Sequence, residues 1–181
     1  MFYYMFRRKI MNILVASTER YRSNGVSNVI KNLYCNETFS KNKLVFLLPE
    51  DSDETMIDEL KTFNFKIFLS NRSKKATIKY FNLIKKIIKS ENIDILHIHG
   101  NSHTLAVELL AAKLAGCKVR IAHAHSTSCK YQVLHKVLTP IFNKSCTHGL
   151  ACGDAAGKFL YGNKPFTVIN NGIDTARYAY D

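Results

Sequence analysis

Residues 93–129 read IDILHIHG, then NSHTLAVELLAAKLAG, then CKVRIAHAHSTSC, and this stretch decides the fold. Its runs IDILHI and VRIAHA are short and mainly apolar, which is typical of strands buried on both faces of a sheet. The segment between them has few polar positions and is long enough for a well-covered helix. The pattern therefore predicts two parallel strands joined by a crossover helix.

Each of these strands ends in two alternating histidines, His97 and His99 in the first and His123 and His125 in the second. Side chains two residues apart on a strand lie on the same face. Ligands of open parallel sheets bind just beyond the carboxyl ends of the strands. His97 is one step inside its strand and is expected to pack there. For His99 and His125, a functional role is favoured over simple packing.

The rest of the chain repeats the alternation of strand and helix. This order predicts an α/β fold, namely a Rossmann-like, doubly wound and mostly parallel sheet with helices on both faces. Pro140 predicts a kink or a break in one helix. One domain is expected over residues 11–174, after a loose extension at 1–10. Further strands are expected at 12–16, 43–48, 65–69, 147–152 and 166–169, and helices at 26–34, 51–63, 76–90, 131–145 and 153–162.

The chain has 181 residues and is strongly basic, with 26 Lys and Arg against 14 Asp and Glu and a formal charge of +12. Such a surplus favours anionic partners, which include nucleic acid, phosphorylated sugars and anionic membrane surfaces. No basic recognition helix and no aromatic-plus-basic strand motif stands out. Nucleic-acid binding is therefore not predicted.

Cysteine usage and hydropathy bear on the compartment. The five cysteines include no C-x-x-C pair, which favours reduced thiols in a cytoplasm over a disulfide framework. No apolar run approaches the roughly 18 residues that span a bilayer. The start MFYYMFRRKI has its apolar residues before its basic ones, the reverse of a secretory signal. A cytoplasmic location is predicted.

The loop after the first strand contains Gly25 and leads into an amphipathic helix. Strand, glycine-bearing loop and helix form a layout that can hold a phosphate, because the first-turn N–H groups favour an anion. Neither G-x-G-x-x-G nor G-K-[ST] is present, so a dinucleotide site or a P-loop is not supported. A glycine that only permits the turn is an equal alternative.

The helix expected at 76–90 is amphipathic and basic. Its predicted apolar stripe consists of Ile78, Phe81, Ile84 (or Leu83), Ile87 and Ile88. Such a helix can lie on anionic lipid, or it can cover the sheet and turn a solvated basic face outward. The candidate membrane-docking residues are Lys74, Lys75, Lys79, Lys85, Lys86 and Lys89.

Seven histidines and five cysteines raise the question of a metal site. The cysteines are scattered and the spacings match no compact zinc module, so no metal is predicted. Ser126 and Ser128 follow His125, but no G-x-S-x-G nucleophile motif is present.

Five segments, in this order and spacing, resemble the amino-terminal half of GT-B glycosyltransferases, and above all the bacterial retaining group called family 4. They are MNILVASTERYRSNGVSNVIKNLY, IDILHIHG, KVRIAHAHSTS, GLACGDAAGKFLYG and FTVINNGID. The resemblance covers residues 11 to about 177. In that family N-G-I-D closes the first Rossmann-like domain, so residues 175–181 are expected to begin the interdomain linker.

The resemblance implies a cleft at the carboxyl ends of the strands. His125 matches the family's cleft histidine near the transferred sugar, where it would bind a sugar hydroxyl or assist proton movement with a pKa suited to neutral pH. It is the candidate catalytic residue. The other matched positions, on the acceptor and phosphate side, are Asn24, Gly25, Val26, His99, Gly100, Ser126 and Thr127.

The family's second domain binds the nucleotide-sugar donor through a basic residue and an E-x7-E pair, which the present sequence lacks. The resemblance thus implies no cofactor, a sugar or lipid-linked sugar acceptor, and a donor-binding domain in cis or on a separate chain. Without that domain this chain is expected to be inactive. A non-catalytic Rossmann-like module that recruits a partner, or docks at the inner face of an anionic membrane, is the alternative.

Overall fold

The computed structural model describes residues 10–36, 38–39, 41–73 and 77–172. Strands and helices alternate along this part of the chain, as the sequence predicts, and a 3₁₀ turn at His103–Leu105 precedes the fourth helix. In chain order the elements are β1 (Asn12–Ser17), α1 (Gly25–Tyr34), β2 (Lys43–Pro49), α2 (Glu54–Lys61), β3 (Lys66–Ser70), α3 (Thr77–Ser90), β4 (Ile95–His99), α4 (Ala106–Leu114), β5 (Val119–Ala124), α5 (Gln132–Ser145), β6 (His148–Ala151), α6 (Asp154–Tyr161) and β7 (Thr167–Val168).

The described strands form one sheet in the order β3-β2-β1-β4-β5-β6-β7, and every pair is parallel. The predicted Rossmann-like fold is therefore confirmed. The chain builds outward from β1 to β3 and then returns to place β4 on the other side of β1. In such sheets the loops that leave the two strands at this reversal diverge and open a crevice. The expected binding edge is thus the carboxyl end of β1 and β4.

The two faces of the sheet are covered by different helices. Apolar residues of α1 and α2 pack on one face, in a cluster that includes Val15, Ile30 and Phe46. Residues of α3 to α6 pack on the other, in a larger cluster that includes Leu14 and Ile84. Neighbouring positions of β1 therefore serve opposite faces, which explains why its sequence is an uninterrupted apolar run.

Two helices begin at side-chain caps that the sequence contains. Asn24 is the N-cap of α1, and its Oδ1 accepts the Ser27 backbone N–H at 2.9 Å. Asp53 caps α2 in the same way through the Thr55 N–H at 3.0 Å. Such caps satisfy N–H groups that have no intrahelical partner. The cap at Asp53 lies within the segment where the sequence predicts the helix 51–63.

The break predicted at Pro140 is wrong, because α5 is one helix from Gln132 to Ser145. The turn before the proline is held by tertiary contacts that sequence alone does not reveal. The Thr139 hydroxyl donates to the His135 carbonyl at 3.0 Å, and His103 Nδ1 lies 2.8 Å from the same hydroxyl. Phe142 anchors the far end in the core.

The predicted apolar faces of α3 and α5 are only partly buried. On α3, Ile84, Ile87 and Ile88 are buried as predicted, but Ile78 is 77% exposed and Tyr80 takes the inward position. On α5, Phe142 is buried, whereas Val137 is 64% exposed and Leu134 and Ile141 are 36% and 39% exposed. The helix contacts α4 and the turn before it.

All five cysteines are free, as expected for reduced thiols. Over the described residues, none of the helices combines the length and the hydropathy that crossing a bilayer requires. Residues 1–9 of the predicted extension and the expected linker start at 175–181 lie outside the described residues.

Candidate functional site

The carboxyl ends of β1, β4 and β5 are joined by backbone hydrogen bonds. The Thr18 N–H donates to the His99 carbonyl at 3.1 Å, and the Gly100 N–H donates to the His123 carbonyl at 3.1 Å. The loops that leave these strands therefore begin from fixed positions. The sequence-based expectation placed the site at this edge, and the reversal of strand order lies there too.

Gly100 allows the loops after β1 and β4 to approach each other closely. A Cβ at this position would lie 2.6 Å from Thr18 Oγ1 and 2.8 Å from Leu105 Cδ2, closer than side chains tolerate. Any larger residue would push the loop after β1 away from β4. Gly100 therefore shapes the edge of the cleft through packing.

Asn101, which the sequence reasoning missed, holds three loops in register. Its Oδ1 accepts the His125 backbone N–H at 2.9 Å, and its Nδ2 donates to Glu19 Oε1 at 2.8 Å. It thereby connects the loops after β1, β4 and β5. Its place directly after the strand-ending Gly100 was the available signal, because polar residues at strand ends face the binding edge.

His125 lies half-buried just beyond β5, and both of its ring nitrogens are turned inward. Nε2 is 2.9 Å from His99 Nδ1, so one of the two nitrogens donates. Nδ1 is buried and finds no hydrogen-bond partner in the part of the chain that the structure describes. Burial lowers the pKa of His125 to about 4. The expectation of a pKa near neutrality is wrong for this chain, since desolvation disfavours the imidazolium.

His125 is the outer member of a row of four histidines, named here the histidine row: His97, His99, His123 and His125. All four rings lie on the face of α1, and the His123 and His125 centroids are 4.3 Å apart. His97 Nδ1 hydrogen-bonds the Tyr34 hydroxyl of α1. Burial lowers the pKa of His97 to about 3 and of His123 to about 2, with coulombic repulsion from neighbouring histidines adding to it. The row is therefore neutral at pH 7.

The histidine row carries several unpaired polar atoms. Nε2 of His97, Nε2 of His99 and both ring nitrogens of His123 have no hydrogen-bond partner among the described residues. Most buried polar atoms in proteins are paired, and each exception calls for a reason. The prediction that His97 packs within the sheet agrees with its burial, yet its ring belongs to the same row as the cleft histidine.

The remaining predicted residues lie around the same edge. Gly25 has no positive φ, and a Cβ there would meet nothing within 4 Å, so neither the turn nor packing explains a glycine. Val26 is partly buried against the core under α1. Ser126 is half-buried and Thr127 is exposed. No described hydrogen bond joins Asn24 or Gly25 to His99 or His125, whereas His99 and His125 are connected through their ring nitrogens and the Gly100 N–H donates to the His123 carbonyl.

A polar pocket of about 360 Å³ adjoins this edge at the carboxyl ends of β1, β2 and β3. Arg20 crosses its mouth and donates from Nε to the Asp51 carbonyl at 2.7 Å. Asn71 donates to Glu50 Oε1 at 2.6 Å. The sequence reasoning missed this pocket, because its lining comes from three loops that only the sheet brings together. Its lining includes Thr18, Arg20, Glu50, Asp51, Asn71 and Arg72.

The predicted membrane-docking lysines border an apolar groove. Lys74 and Lys75 lie outside the described residues. Lys79, Lys86 and Lys89 are exposed, and Lys85 Nζ lies 5.9 Å from the centroid of the Phe81 ring. A groove of about 280 Å³ runs between α3, α4 and α5, with only apolar surface in its lining. It is lined by Ile78, Phe81, Val107, Leu110, Leu138 and Ile141, among others.

Solved structures share this architecture. Anabaena Alr3699/HepE in complex with UDP matches 93% of this chain and 46% of its own, with a TM-score of 0.68 at 16% identity. MurG of Acinetobacter baumannii matches 90% of this chain and 46% of its own, with a TM-score of 0.60 at 12% identity. The UDP-GlcNAc 2-epimerase from Neisseria meningitidis bound to UDP-GlcNAc matches 89% of this chain and 47% of its own, with a TM-score of 0.61 at 16% identity. These identities show the fold alone, a Rossmann-like domain of the GT-B type.

Sequence comparison identifies the family. The profile of Glycosyltransferase Family 4 matches residues 23–177, which is most of the chain. The chain therefore belongs to Glycosyltransferase Family 4. The protein named "Putative glycosyltransferase EpsF" of Bacillus subtilis (strain 168) is 26% identical over 168 residues, covering 86% of this chain and 44% of that protein. This chain spans less than half the length of the relatives it matches.

Proposed function

We propose that this chain is the acceptor-side domain of a bacterial glycosyltransferase. It would take part in transfer of a sugar from a nucleotide-sugar to a glycan or lipid-linked acceptor, in the synthesis of capsular polysaccharide, exopolysaccharide or lipopolysaccharide. Family membership supports sugar transfer. The observation that carries the acceptor-side assignment is the position of His125, which three loops fix at the carboxyl edge of the sheet that also carries a polar pocket.

The pocket beside β1, β2 and β3 is the proposed acceptor site. Its lining mixes guanidinium, carboxylate, amide and hydroxyl groups. Sugar hydroxyls both donate and accept hydrogen bonds, so such a mixed lining suits a glycan. Arg20 and Asp51 are already paired with each other across the mouth at 3.2 Å. They would exchange part of that pairing for contacts with the acceptor.

His125 is the proposed residue closest to the reaction. Because its imidazole is neutral at pH 7, it can accept a hydrogen bond or a proton from an acceptor hydroxyl. Nε2 is engaged by His99 and Nδ1 is buried without a partner among the described residues, so the ring must turn outward for either nitrogen to reach an acceptor hydroxyl. Ser126 and Thr127 follow directly and would contact the same sugar. The low pKa makes His125 a weaker base than an ordinary histidine, which favours a hydrogen-bonding and positioning role.

The donor would be held mainly by a second domain, in cis or on a separate chain. Gly25 at the start of α1 would let the donor phosphate come close, because nothing occupies the space that a Cβ would fill. Stabilisation of the leaving nucleotide diphosphate is a large part of such catalysis. This chain alone would therefore bind acceptor without turning over. The site of action would be the cytoplasm, close to the inner face of the membrane.

The proposal is tested by separating acceptor binding from turnover. Acceptor oligosaccharides are titrated into the chain by saturation-transfer NMR, and release of nucleotide from nucleotide-sugars is followed for the chain alone and fused to the donor-side half of EpsF. Binding by the chain alone is expected, with release only in the fusion. The His125→Ala fusion should lose release, and the His148→Ala fusion, altered at an exposed histidine of β6, should keep it. Equal release by both variant fusions would contradict the role of His125.

The groove beside α3 favours a second candidate, a module that docks on an anionic membrane. An exposed Ile78 and an apolar groove lie next to four described lysines of α3, which combines lipid insertion with charge attraction. Sedimentation with anionic and neutral vesicles at low salt tests it. Binding to anionic vesicles should fall strongly in the Lys85→Glu/Lys86→Glu variant. Absence of binding to anionic vesicles would exclude docking and leave sugar transfer unaffected.

A further inference from the structure

We propose that His97, His99 and His123 form a buried binding site for one divalent transition-metal ion, with Zn²⁺ as the reference ion. The sequence-based prediction of no metal rested on residue spacing along the chain. The register of the sheet brings His99 opposite His123 and His97 opposite Ile121. The two strands together therefore provide three neighbouring histidines, which neither strand provides alone. The ion is assigned no part in sugar transfer.

The three rings lie close enough together to share one ion. One ring nitrogen of each histidine can be chosen so that all three lie within 4.8 Å of one another. Zinc binds imidazole nitrogen at about 2.0–2.1 Å, which puts two nitrogens of a tetrahedral site about 3.3 Å apart. The rings are close to parallel, with angles between their planes of 27° for His97 and His99, 7° for His97 and His123 and 33° for His99 and His123, so binding would require them to rotate until their in-plane lone pairs converge on one ion.

Several ring nitrogens of this site have no hydrogen-bond partner among the described residues and are available as metal ligands. Nε2 of His97, Nε2 of His99 and both nitrogens of His123 are buried and unpaired among the described residues. Leaving a polar atom buried without a partner costs about 1–3 kcal/mol. A cation bound to these rings would use their lone pairs and remove much of that cost.

Two of the rings are already oriented by hydrogen bonds from their other nitrogen. His97 Nδ1 hydrogen-bonds the Tyr34 hydroxyl, and His99 Nδ1 lies 2.9 Å from His125 Nε2. Metal-bound histidines are usually fixed in this manner, because the second nitrogen sets the tautomer and the direction of the ring. Imidazole ligands favour zinc, copper and nickel over magnesium and calcium, which prefer oxygen.

Metal titration of the chelator-treated chain tests the site. Calorimetry with Zn²⁺ should give one site per chain, and thermal unfolding should move to higher temperature with added Zn²⁺ but not with Mg²⁺. His123→Gln should abolish this site. The matched control His148→Gln removes an exposed histidine near Thr147 and should retain full affinity. No single-site binding, or equal affinity in His123→Gln and the unaltered chain, would overturn the proposal.

Two further measurements do not depend on the folding of a core variant. Tyr34→Phe removes only the hydroxyl that orients His97, and it should weaken Zn²⁺ binding about 10- to 100-fold. In the unaltered chain, Co²⁺ should shift the ring-proton NMR signals of His97, His99 and His123 and leave those of His148 in place. Shifts centred on His148 or the cysteines would overturn the site, as would unchanged affinity in Tyr34→Phe.

Discussion

Two buried polar clusters lie on opposite faces of the sheet, and they differ in how completely their atoms are paired. On the face of α3 to α6, Arg72 binds Glu108 of α4 with both ends of its guanidinium, Nε to Oε1 at 2.5 Å and Nη2 to Oε2 at 3.3 Å. Nη2 also donates to the Thr104 carbonyl at 3.0 Å. On the face of α1, the histidine row retains unpaired nitrogens.

The difference separates a structural role from a functional one. The charges of Arg72 and Glu108 compensate each other, so the pair fixes Arg72 against α4 and has nothing left for a ligand. Arg72 is accordingly directed to Glu108 and does not extend the basic face of α3. The histidine row keeps several buried nitrogens unpaired among the described residues, which is typical of sites reserved for ligands. Both clusters are buried, so burial does not distinguish them. The fraction of polar atoms that have a hydrogen-bond partner does.

Breaking the paired cluster should have the largest effect on stability. Arg72→Met leaves the carboxylate of Glu108, which is fully buried, without its partner. Removing one member of a buried pair costs about 3–5 kcal/mol, to be measured by urea unfolding. The control Lys86→Met alters an exposed charge on α3 and should change the free energy of unfolding by less than about 0.5 kcal/mol. A loss below about 1 kcal/mol for Arg72→Met would show that Glu108 reaches solvent.

Acidification should act on the unpaired cluster first. The pKa values of His97, His123 and His125 are lowered below the unfolded value of about 6.5, so the unfolded chain binds the protons first. Stability is therefore full above pH 6.5 and falls as the pH drops through 6.5 toward the folded values, by about 1.4 kcal/mol per pH unit for each histidine.

Urea unfolding between pH 7.5 and 5.0 measures this slope. The window avoids the carboxylates of Glu91 and Asp53, because hydrogen bonds from their partners lower the pKa values of both. Burial also lowers the pKa of His135, so this residue contributes to the slope in the unaltered chain and in His123→Leu alike. The slope should shrink in His123→Leu. A flat profile across the window would mean that the row is hydrated and takes up protons in the folded state.

Replacing a member of the unpaired cluster should have a smaller effect, of opposite sign. His123→Leu removes two unpaired nitrogens and keeps an apolar side chain of similar bulk on β5, so the folded state should gain about 1–2 kcal/mol at pH 7 without metal. Unfolding of the metal-free chain measures it, and Zn²⁺ should no longer stabilise this variant. A loss of more than about 2 kcal/mol would show that His123 is paired in solution.

Gly25→Ala should have the smallest effect on stability while still altering function. The backbone at Gly25 is not in the left-handed region and a Cβ would meet nothing within 4 Å, so the free energy of unfolding should change by less than about 1 kcal/mol, in the stabilising direction. Transfer by the fusion with a donor half should fall. Gly100→Ala is the contrasting variant, because its Cβ would collide with Thr18 and Leu105. Equal destabilisation by both variants would contradict the assignment of Gly25.

The sequence contained most of the fold and the position of the site. Period-two and helical patterns predicted the strand and helix order, and each H-x-H pair predicted two histidines on the same face of its strand. Those features depend on residues that are close together in the chain, so they can be detected in a single sequence. The binding edge followed from parallel strands alone.

Features that depend on tertiary partners escaped prediction. Tyr80 is buried on α3 beside the Arg72–Glu108 pair while Ile78 is exposed, which reverses their hydropathy order. Asn101 acquires its role only when β5 lies beside β4. The low pKa of His125 arises from burial, which no spacing reveals.

The position of β1 between β2 and β4 also has a consequence for folding during synthesis. The Asn12 N–H that borders β1 donates to the Asp94 carboxylate, 82 residues further along the chain, at 2.9 Å. At a synthesis rate of about 5–20 residues per second, the edge of β1 that pairs with β4 has no partner for about 4–16 s, until β4 has been synthesised. Throughout that time an apolar strand has an unpaired edge, which invites pairing with other chains. The centre of the finished sheet is thus the part most open to wrong pairing while the chain is being made.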